Sequence, residues 1–302
     1  MKRVLLTGAS GFIGRHATAP LLEKGYEVHA VSSRPVVAAG NAVHWHEADL
    51  LDESAVARLL AEVRPTHLLH FAWYVEAGKF WGSAQNYRWL EASLALLRNF
   101  GEHGGRRAVM AGTCAEYDWD YGFCSEAVTP LRPTTPYGSC KNALREALCA
   151  YGAGEGLSAA WGRIFFLYGP GEQRARLVPS VIRSLALGET ARCTHGRQVR
   201  DFLHAADVAS AFVALLDSAI EGPVNIASGA PVTLREVVLA AADCFGASGR
   251  VEFGALAASA DEPPLLVADV RRLNGEVGWR PSIGLADGMR QVVGSWQEKQ
   301  GR

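Results

Sequence analysis

The first fourteen residues read MKRVLLTGASGFIG, and this stretch decides the fold. The apolar run at residues 4–6 is typical of a buried parallel strand, and residues 12–25 (FIGRHATAPLLEKG) carry the spacing of a helix. Gly8 would permit the tight turn between them, Gly11 would let a pyrophosphate approach the backbone, and Gly14 would let the helix pack closely on the strand. A plain structural corner is the alternative, but this context favours a dinucleotide-binding βαβ unit.

The end of the second strand indicates which dinucleotide is bound. In VHAVSSRP (residues 28–35), Ser32, Ser33 and Arg34 replace the acidic residue that binds the ribose 2′-hydroxyl in an NAD site. Two hydroxyls and a guanidinium can hydrogen-bond a 2′-phosphate and neutralise its charge. We therefore expect NADP(H) to be preferred, and NAD(H) to bind if Arg34 points into solvent and the serines only end the strand.

The composition is typical of an ordinary globular protein and argues against nucleic-acid and membrane partners. The 302 residues are 49% hydrophobic and 20% charged, and the formal net charge is −1. This balance offers no basic field for nucleic acid or for an anionic membrane surface. The first strand begins almost at Met1, and no apolar stretch reaches the roughly 18 to 20 residues that span a bilayer. We therefore expect a cytoplasmic protein without a signal peptide.

Cysteines and histidines predict neither disulfides nor a metal site. The six cysteines lack CxxC pairing and disulfide-scaffold spacing, which suits reduced thiols. The pairs His44/His46 and His67/His70 lack the further ligands that a metal site needs. Satisfied or solvated histidines are the expected interpretation.

Strand-like and helical segments alternate along the chain, which predicts an α/β fold of the Rossmann type. The doubly wound parallel sheet should be joined by a smaller α/β C-terminal substrate lobe. Residues 1–168 and about 205–227 should form the dinucleotide-binding domain, and residues 169–204 and 228–302 the substrate-binding lobe. The predicted strands are RVLL, YEVHAVS, AVHWHEADL, HLLHFAW, RAVMAGT, SAAWGRIFFLYGP and PVNIAS.

Three side chains suggest proton chemistry. In TTPYGSCKNALREAL (residues 134–148), a helix should begin at Pro136, so that Tyr137 and Lys141 share one face four residues apart. The adjacent ammonium should lower the phenol pKa and let the pair transfer a proton. Thr113 ends a predicted strand at the sheet edge where ligands bind. Taken singly, Tyr137 and Lys141 could be a chance pair on a solvated helix, and Thr113 could only cap a turn.

Together these signals resemble the extended short-chain dehydrogenase/reductase family, in its nucleotide-sugar epimerase/dehydratase/reductase branch. The resemblance covers almost the whole chain through TGASGFIG, EADLLD, HLLHFA, AGTCAEY, YGSCK, RIFFLYGP, GRQVRDFLHAADVASAF and PVNIASG. It implies that Tyr137 is the acid–base group, that Lys141 lowers its pKa and holds the nicotinamide ribose, and that Thr113 hydrogen-bonds the reacting sugar oxygen. It also implies a homodimer formed through helices that flank the sheet.

The resemblance extends to the two ligands. Besides the serine and arginine positions above, the cofactor groove would be lined by Gly8, Ser10, Gly11, Phe12, Ile13, Gly14, Asp49, Leu50, Phe71, Ala72, Trp73, Tyr137 and Lys141. The nucleotide-sugar substrate would contact Thr113, Cys114, Phe166, Val178 and Arg200, of which Arg200 would grip the phosphates. A structural ion pair of Arg200 with Asp201 or Asp207 is the alternative.

Several positions depart from the family pattern. Trp89 and Phe166 stand where asparagines are usual, and a second phosphate-binding arginine is not evident near residues 258–262. Cys114 and Ala115 replace the Asp-Glu pair of the 4,6-dehydratases, so we expect no dehydration of a nucleotide-linked glucose. Seven aromatic residues lie between positions 71 and 89, where they could fill a core, cover a dimer surface or form a substrate wall.

The expected activity is oxidoreduction of a nucleotide-linked sugar. Reduction of a 4-keto-6-deoxyhexose nucleotide, with Tyr137 as the proton donor, agrees best with the expected NADP(H) preference. An NAD-dependent 4-epimerase is the alternative. A non-catalytic sensor on the same fold has no need for the Thr113, Tyr137 and Lys141 set.

Overall fold

A parallel sheet of seven strands is the centre of this computed structural model, which describes residues 2–36, 40–259 and 262–300. Within those ranges the strands, numbered in chain order, are β1 (Arg3–Thr7), β2 (Glu27–Ser32), β3 (Val43–Glu47), β4 (His67–His70), β5 (Arg107–Thr113), β6 (Phe123–Cys124), β7 (Ser158–Ile164), β8 (Phe166–Tyr168), β9 (Ala191–Cys193), β10 (Val199–Arg200), β11 (Phe202–His204), β12 (Gly222–Ile226), β13 (Val232–Thr233), β14 (Val251–Phe253) and β15 (Leu265–Ala268). The helices are α1 (Thr18–Glu23), α2 (Glu53–Val63), α3 (Gln85–Glu102), α4 (Pro136–Glu155), α5 (Leu177–Ala186), α6 (Ala205–Asp217), α7 (Leu234–Asp243) and α8 (Leu285–Gln300).

The spatial order of the central sheet is β12-β7-β5-β4-β1-β2-β3, and every neighbouring pair is parallel. Because the strands are parallel, their carboxyl ends meet at one edge. The residues that end β1, β2, β4 and β5 therefore lie along the same edge, where ligands bind in open α/β sheets.

Helices cover both faces of the sheet. On one face α2, α3 and α4 bury leucines such as Leu60, Leu96 and Leu144 against the strands. On the other face α1 and α6 pack Leu21 and Phe212 against Val4 and Leu6. Apolar side chains on both faces explain why the strands are almost continuously apolar. The predicted doubly wound fold is confirmed.

The first helix is shorter than its sequence spacing indicates. A single 3₁₀ turn at Gly14–His16 precedes α1, which begins only at Thr18. Pro20 accounts for this limit, because proline has no backbone N–H and fits only the first turn of an α-helix. The predicted order of strand, glycine turn and helix is otherwise confirmed.

A separate hydrophobic cluster lies outside the central sheet. The helices α5, α7 and α8 build it from residues such as Ile182, Val237, Ala241 and Met289. Short strands accompany it as the sheet β13-β10-β15-β6 and the pairs β11-β8 and β14-β9. The exact division of the chain into two domains stays a prediction. None of the described helices is long and apolar enough to cross a membrane.

Candidate active site

The glycine loop after β1 makes close backbone contacts at its three glycines. Gly8 adopts a φ of 65°, and a Cβ built there would lie 2.8 Å from the backbone nitrogen of Ala72. The amide of Gly11 donates to the Gly8 carbonyl at 2.9 Å, and Gly11 is exposed. A Cβ on Gly14 would overlap the Gly8 carbonyl oxygen, so this glycine permits the close approach of turn and helix. Gly8 and Gly14 therefore serve the tight turn and the close helix packing that the sequence predicts, and the contact of Gly11 with a pyrophosphate stays a prediction.

The proposed adenosine end of the groove lies next to this loop. The hydroxyls of Ser10 and Ser32 are 3.3 Å apart, and the Arg34 amide donates to Ser32 Oγ at 3.2 Å. Ser33 and Arg34 are exposed, whereas Ser32 is buried. The residues predicted to bind the 2′-phosphate thus lie next to the glycine loop, and their role stays a prediction.

Other predicted cofactor residues line the same edge. Phe71 and Ala72 follow β4, and both amides donate to Thr7 at 3.3 Å. Leu50 is buried and Asp49 is exposed after β3. The loop positions Phe12 and Ile13 are partly buried.

The catalytic candidates meet where β5 ends and α4 begins. Thr135 caps α4 by accepting a hydrogen bond from Gly138 N at 3.2 Å, and Pro136 is the first helical residue, as the sequence predicts. Lys141 is 3% exposed, and its Nζ donates to the Ala111 carbonyl at 2.8 Å. The helix start and the strand end therefore bring together Thr113, Tyr137 and Lys141.

The predicted effect of Lys141 on the Tyr137 phenol is wrong. Burial raises the pKa of Tyr137, and a hydrogen bond with Thr113 opposes this rise. Burial also lowers the pKa of Lys141 to about 7. The ammonium lies 3.8 Å from the centre of the Trp73 ring and binds the Ala111 carbonyl. Desolvation, which helical spacing does not reveal, therefore dominates both pKa values.

A buried ion pair behind Thr113 escaped the sequence analysis. Glu116 is fully buried and accepts hydrogen bonds from Thr113 N at 2.8 Å, Trp161 Nε1 at 2.9 Å and Arg163 Nε at 2.7 Å. The Thr113 hydroxyl accepts from Ala115 N at 3.2 Å, which completes a capping box. The Thr-x-x-Glu spacing was the available signal. Glu116 thus fixes the backbone that carries the Thr113 hydroxyl.

Aromatic side chains from the 71–89 segment surround Tyr137. The rings of Phe80 and Trp81 meet the Tyr137 ring edge to face, with centroids 4.8 Å and 5.6 Å apart. Trp81 also meets Trp119 at 6.2 Å. Phe80 and Trp73 are buried, but Trp81 is 37% exposed. The segment therefore fills part of the core and also presents an open aromatic face beside the candidate acid–base group.

The predicted phosphate ligand has an acidic partner. Arg200 is 2% exposed, and its Nη2 donates to Glu262 Oε1 at 3.0 Å. Gln198 donates to the other oxygen of Glu262 at 2.9 Å. Asp201 instead accepts hydrogen bonds from Ser228 and Gly229, and Asp207 accepts them from Ser282 and Ile283. Arg200 therefore forms an ion pair, but its partner is Glu262 and neither Asp201 nor Asp207.

The other residues predicted to bind substrate lie in different surroundings. The Phe166 ring lies 5.3 Å from the Arg200 guanidinium carbon, so these two residues share one wall. Cys114 is buried next to Thr113, and burial raises the pKa of its thiol. Val178 is 3% exposed, and its side chain packs in the hydrophobic cluster of α5, α7 and α8. Residues 260–261, part of the segment without an evident second arginine, lie outside the described residues.

Known proteins resemble this chain over most of its length. The model of the NAD dependent epimerase/dehydratase family matches residues 4–227. A UDP-glucose 4-epimerase of Corynebacterium glutamicum is 28% identical over 92% of this chain and 91% of that protein. GDP-6-deoxy-D-mannose reductase of Pseudomonas aeruginosa is 26% identical over 99% of this chain and 98% of that protein.

A solved structure is similar to this chain in its three-dimensional fold. The UDP-glucose 4-epimerase of Thermus thermophilus in complex with NAD has a TM-score of 0.82 at 27% identity, covering 98% of this chain and 99% of that chain. The family match runs from the first strand of the central sheet through its far edge strand, β12. Because the match includes the glycine loop and the edge that carries the catalytic candidates, the chain belongs to the NAD dependent epimerase/dehydratase family.

Proposed function

We propose that this protein reduces the 4-keto group of a nucleotide-linked 6-deoxyhexose and uses NADPH. The observation that carries the proposal is the convergence of Thr113, Tyr137 and Lys141 beside the glycine loop at one edge of the sheet. The tight turn at Gly8 and the close packing at Gly14 form the strand–turn–helix corner on which a nicotinamide dinucleotide would place its pyrophosphate. A bound NADPH would supply the hydride.

The chain's own residues would then manage the proton and the orientation of the sugar. The Tyr137 hydroxyl would protonate the sugar oxygen as the carbonyl becomes an alcohol, while the Thr113 hydroxyl would hydrogen-bond that oxygen. Because burial raises the pKa of Tyr137, the phenol keeps its proton near neutral pH and can donate it.

A 4-epimerase is the second candidate. Arg34 is exposed at the edge of the groove, and an arginine that points into solvent would leave the site open to NAD. The similar Thermus thermophilus epimerase was solved with NAD. The two candidates differ in cofactor use, because a reductase consumes its reduced cofactor and an epimerase restores it in each cycle. A purely sensory role is disfavoured by the catalytic set.

Turnover assays separate these functions. Purified protein is mixed with NADPH or NADH and a panel of 4-keto-6-deoxy sugar nucleotides carrying UDP, GDP, CDP or dTDP, and loss of nicotinamide absorbance is recorded. We expect NADPH oxidation with at least one panel member. Interconversion of 4-epimeric sugar nucleotides without net cofactor use would establish the epimerase instead. Cofactor binding without turnover of either kind would support the sensor.

We also propose that the protein acts in the cytoplasm as a homodimer paired through its sheet-flanking helices. The face of α3 carries the exposed Tyr87 and Leu94, which a partner could cover. Light scattering at several concentrations measures the mass. A monomer throughout the concentration range would contradict the proposal.

A further inference from the structure

A cluster of three histidines and a glutamate lies on the two strands at one edge of the central sheet. The register of β2 and β3 places His29 opposite His44 and Val31 opposite His46. Glu27 precedes His29 by two residues and so lies on the same face of β2. In the sequence, His44 and His46 have no further metal ligands nearby. The pairing of β3 with β2 brings Glu27 and His29 next to them.

The distances within this cluster suit a small cation. His29 Nε2 lies 3.0 Å from Glu27 Oε1, and one ligand atom from each of Glu27, His29 and His44 can be chosen within 4.8 Å of one another. In tetrahedral zinc sites, bonds of about 2.0–2.2 Å separate the ligand atoms by roughly 3.3 Å. The exposed His44 ring stacks on the His29 ring with centroids 4.8 Å apart, so it must turn out of this stack to direct a nitrogen at the same ion.

Neighbouring side chains already hold two of these groups in place. His46 Nε2 is hydrogen-bonded to His29 Nδ1 at 2.8 Å, which leaves Nε2 of His29 to face Glu27. Arg3 Nε donates to Glu27 Oε2 at 3.0 Å and thereby orients Oε1 toward the histidines. Metal ligands in proteins are commonly oriented by such hydrogen bonds from a second layer of residues. This arrangement is more specific than a chance group of surface histidines.

We propose that Glu27, His29 and His44 bind one Zn²⁺ ion, with a water molecule as the fourth ligand on the exposed side of His44. Glu27 and His29 lie five and three residues before Ser32 on β2, so the site is roughly 10 to 16 Å along the strand from the proposed adenosine end. The ion therefore serves a structural role. It ties the edge strand β3 to β2, its neighbour in the described part of the sheet.

Cobalt provides a spectroscopic probe of this site. Tag-free protein, stripped with a chelator, is titrated with Co²⁺ and then with Zn²⁺. We expect a saturable visible absorption of tetrahedral Co²⁺ at one equivalent, and its loss when Zn²⁺ displaces the cobalt. His44→Ala should weaken Co²⁺ affinity at least tenfold, and this variant should fold because His44 is exposed. His195→Ala, which removes an exposed histidine of the C-terminal part, is the matched control and should bind as the parent does.

His46→Ala tests the orienting contact, and we expect it to weaken binding less than His44→Ala while leaving the one-to-one stoichiometry unchanged. Zn²⁺ should also raise the melting temperature of the parent and leave that of His44→Ala unchanged. Absence of a saturable cobalt band in the parent would overturn the proposal, as would an equal band in His44→Ala. In either case Glu27, His29 and His46 form only a hydrogen-bonded cluster.

Discussion

The carboxylate of Glu262 binds the buried guanidinium of Arg200 at 3.0 Å. Under the proposed function the Arg200 guanidinium binds the substrate phosphates. The Glu262 carboxylate would then compete with these phosphates for the same guanidinium. Glu262→Gln should therefore tighten the binding of UDP, GDP, CDP or dTDP, by several-fold for the nucleotide that fits the site. Calorimetric titration measures this, with Glu252→Gln as an exposed control in the same part of the chain. Unchanged or weaker binding in Glu262→Gln would contradict the assignment of Arg200.

Tyr137 should be indispensable for turnover. Tyr137→Phe removes the hydroxyl that donates the proton, and we expect a loss of about 10²- to 10⁴-fold in kcat. NADPH affinity should remain close to that of the parent. Retention of more than about a tenth of the activity would exclude Tyr137 as the acid.

Lys141 should make folding stability depend on pH. Burial lowers its pKa to about 7, so between about pH 7 and pH 10.5 the unfolded chain binds a proton that the folded protein does not. The free energy of unfolding should therefore fall as pH decreases through this range, by up to about 1.4 kcal/mol per unit, and level off below about pH 7. Lys141→Met removes this term.

Urea unfolding of parent and variant at about pH 7 and about pH 9.5 measures the difference. The stability of Lys141→Met relative to the parent should be greater at the lower pH, and Lys24→Met, at an exposed position, should show no such trend. A difference between Lys141→Met and parent that is the same at both pH values would mean that Lys141 titrates normally in the folded protein.

Arg34 should decide the choice of cofactor. If its guanidinium binds the 2′-phosphate, Arg34→Ala should weaken NADPH binding about tenfold and leave NADH binding unchanged, because NADH lacks this phosphate. Fluorescence titration with both cofactors measures the dissociation constants, and Arg58→Ala is a control for loss of an exposed arginine. Equal affinities of the parent for the two cofactors would favour the epimerase.

Trp81 should act on the sugar and leave the cofactor unaffected. Its ring meets Tyr137 edge to face and is partly exposed, so it can cover an apolar face of a deoxysugar. Trp81→Ala should raise KM for the sugar nucleotide about tenfold without changing the Kd of NADPH, whereas Tyr87→Ala removes another exposed aromatic ring and should change neither. An unchanged KM would assign Trp81 to packing alone.

The amino-acid sequence by itself determined the local structure of this protein. Residues 4–6 carry an apolar strand, and Gly11 and Gly14 each lie against the backbone of Gly8. Thr135 and Pro136 mark the start of α4 because a hydroxyl cap and a proline suit the first turn of a helix. These features depend on residues close together in the chain, so composition and spacing are sufficient to predict them.

Only the tertiary structure decided which distant groups meet and how burial changes them. Arg200 and Glu262 are 62 residues apart, and Glu116 and Arg163 are 47 apart, so their contacts depend on chain packing. The pairing of His29 with His44 depends on the register of two edge strands. Helical spacing predicts a lowered pKa for Tyr137, but burial raises it, and burial also lowers the pKa of Lys141, because desolvation depends on the whole surrounding structure.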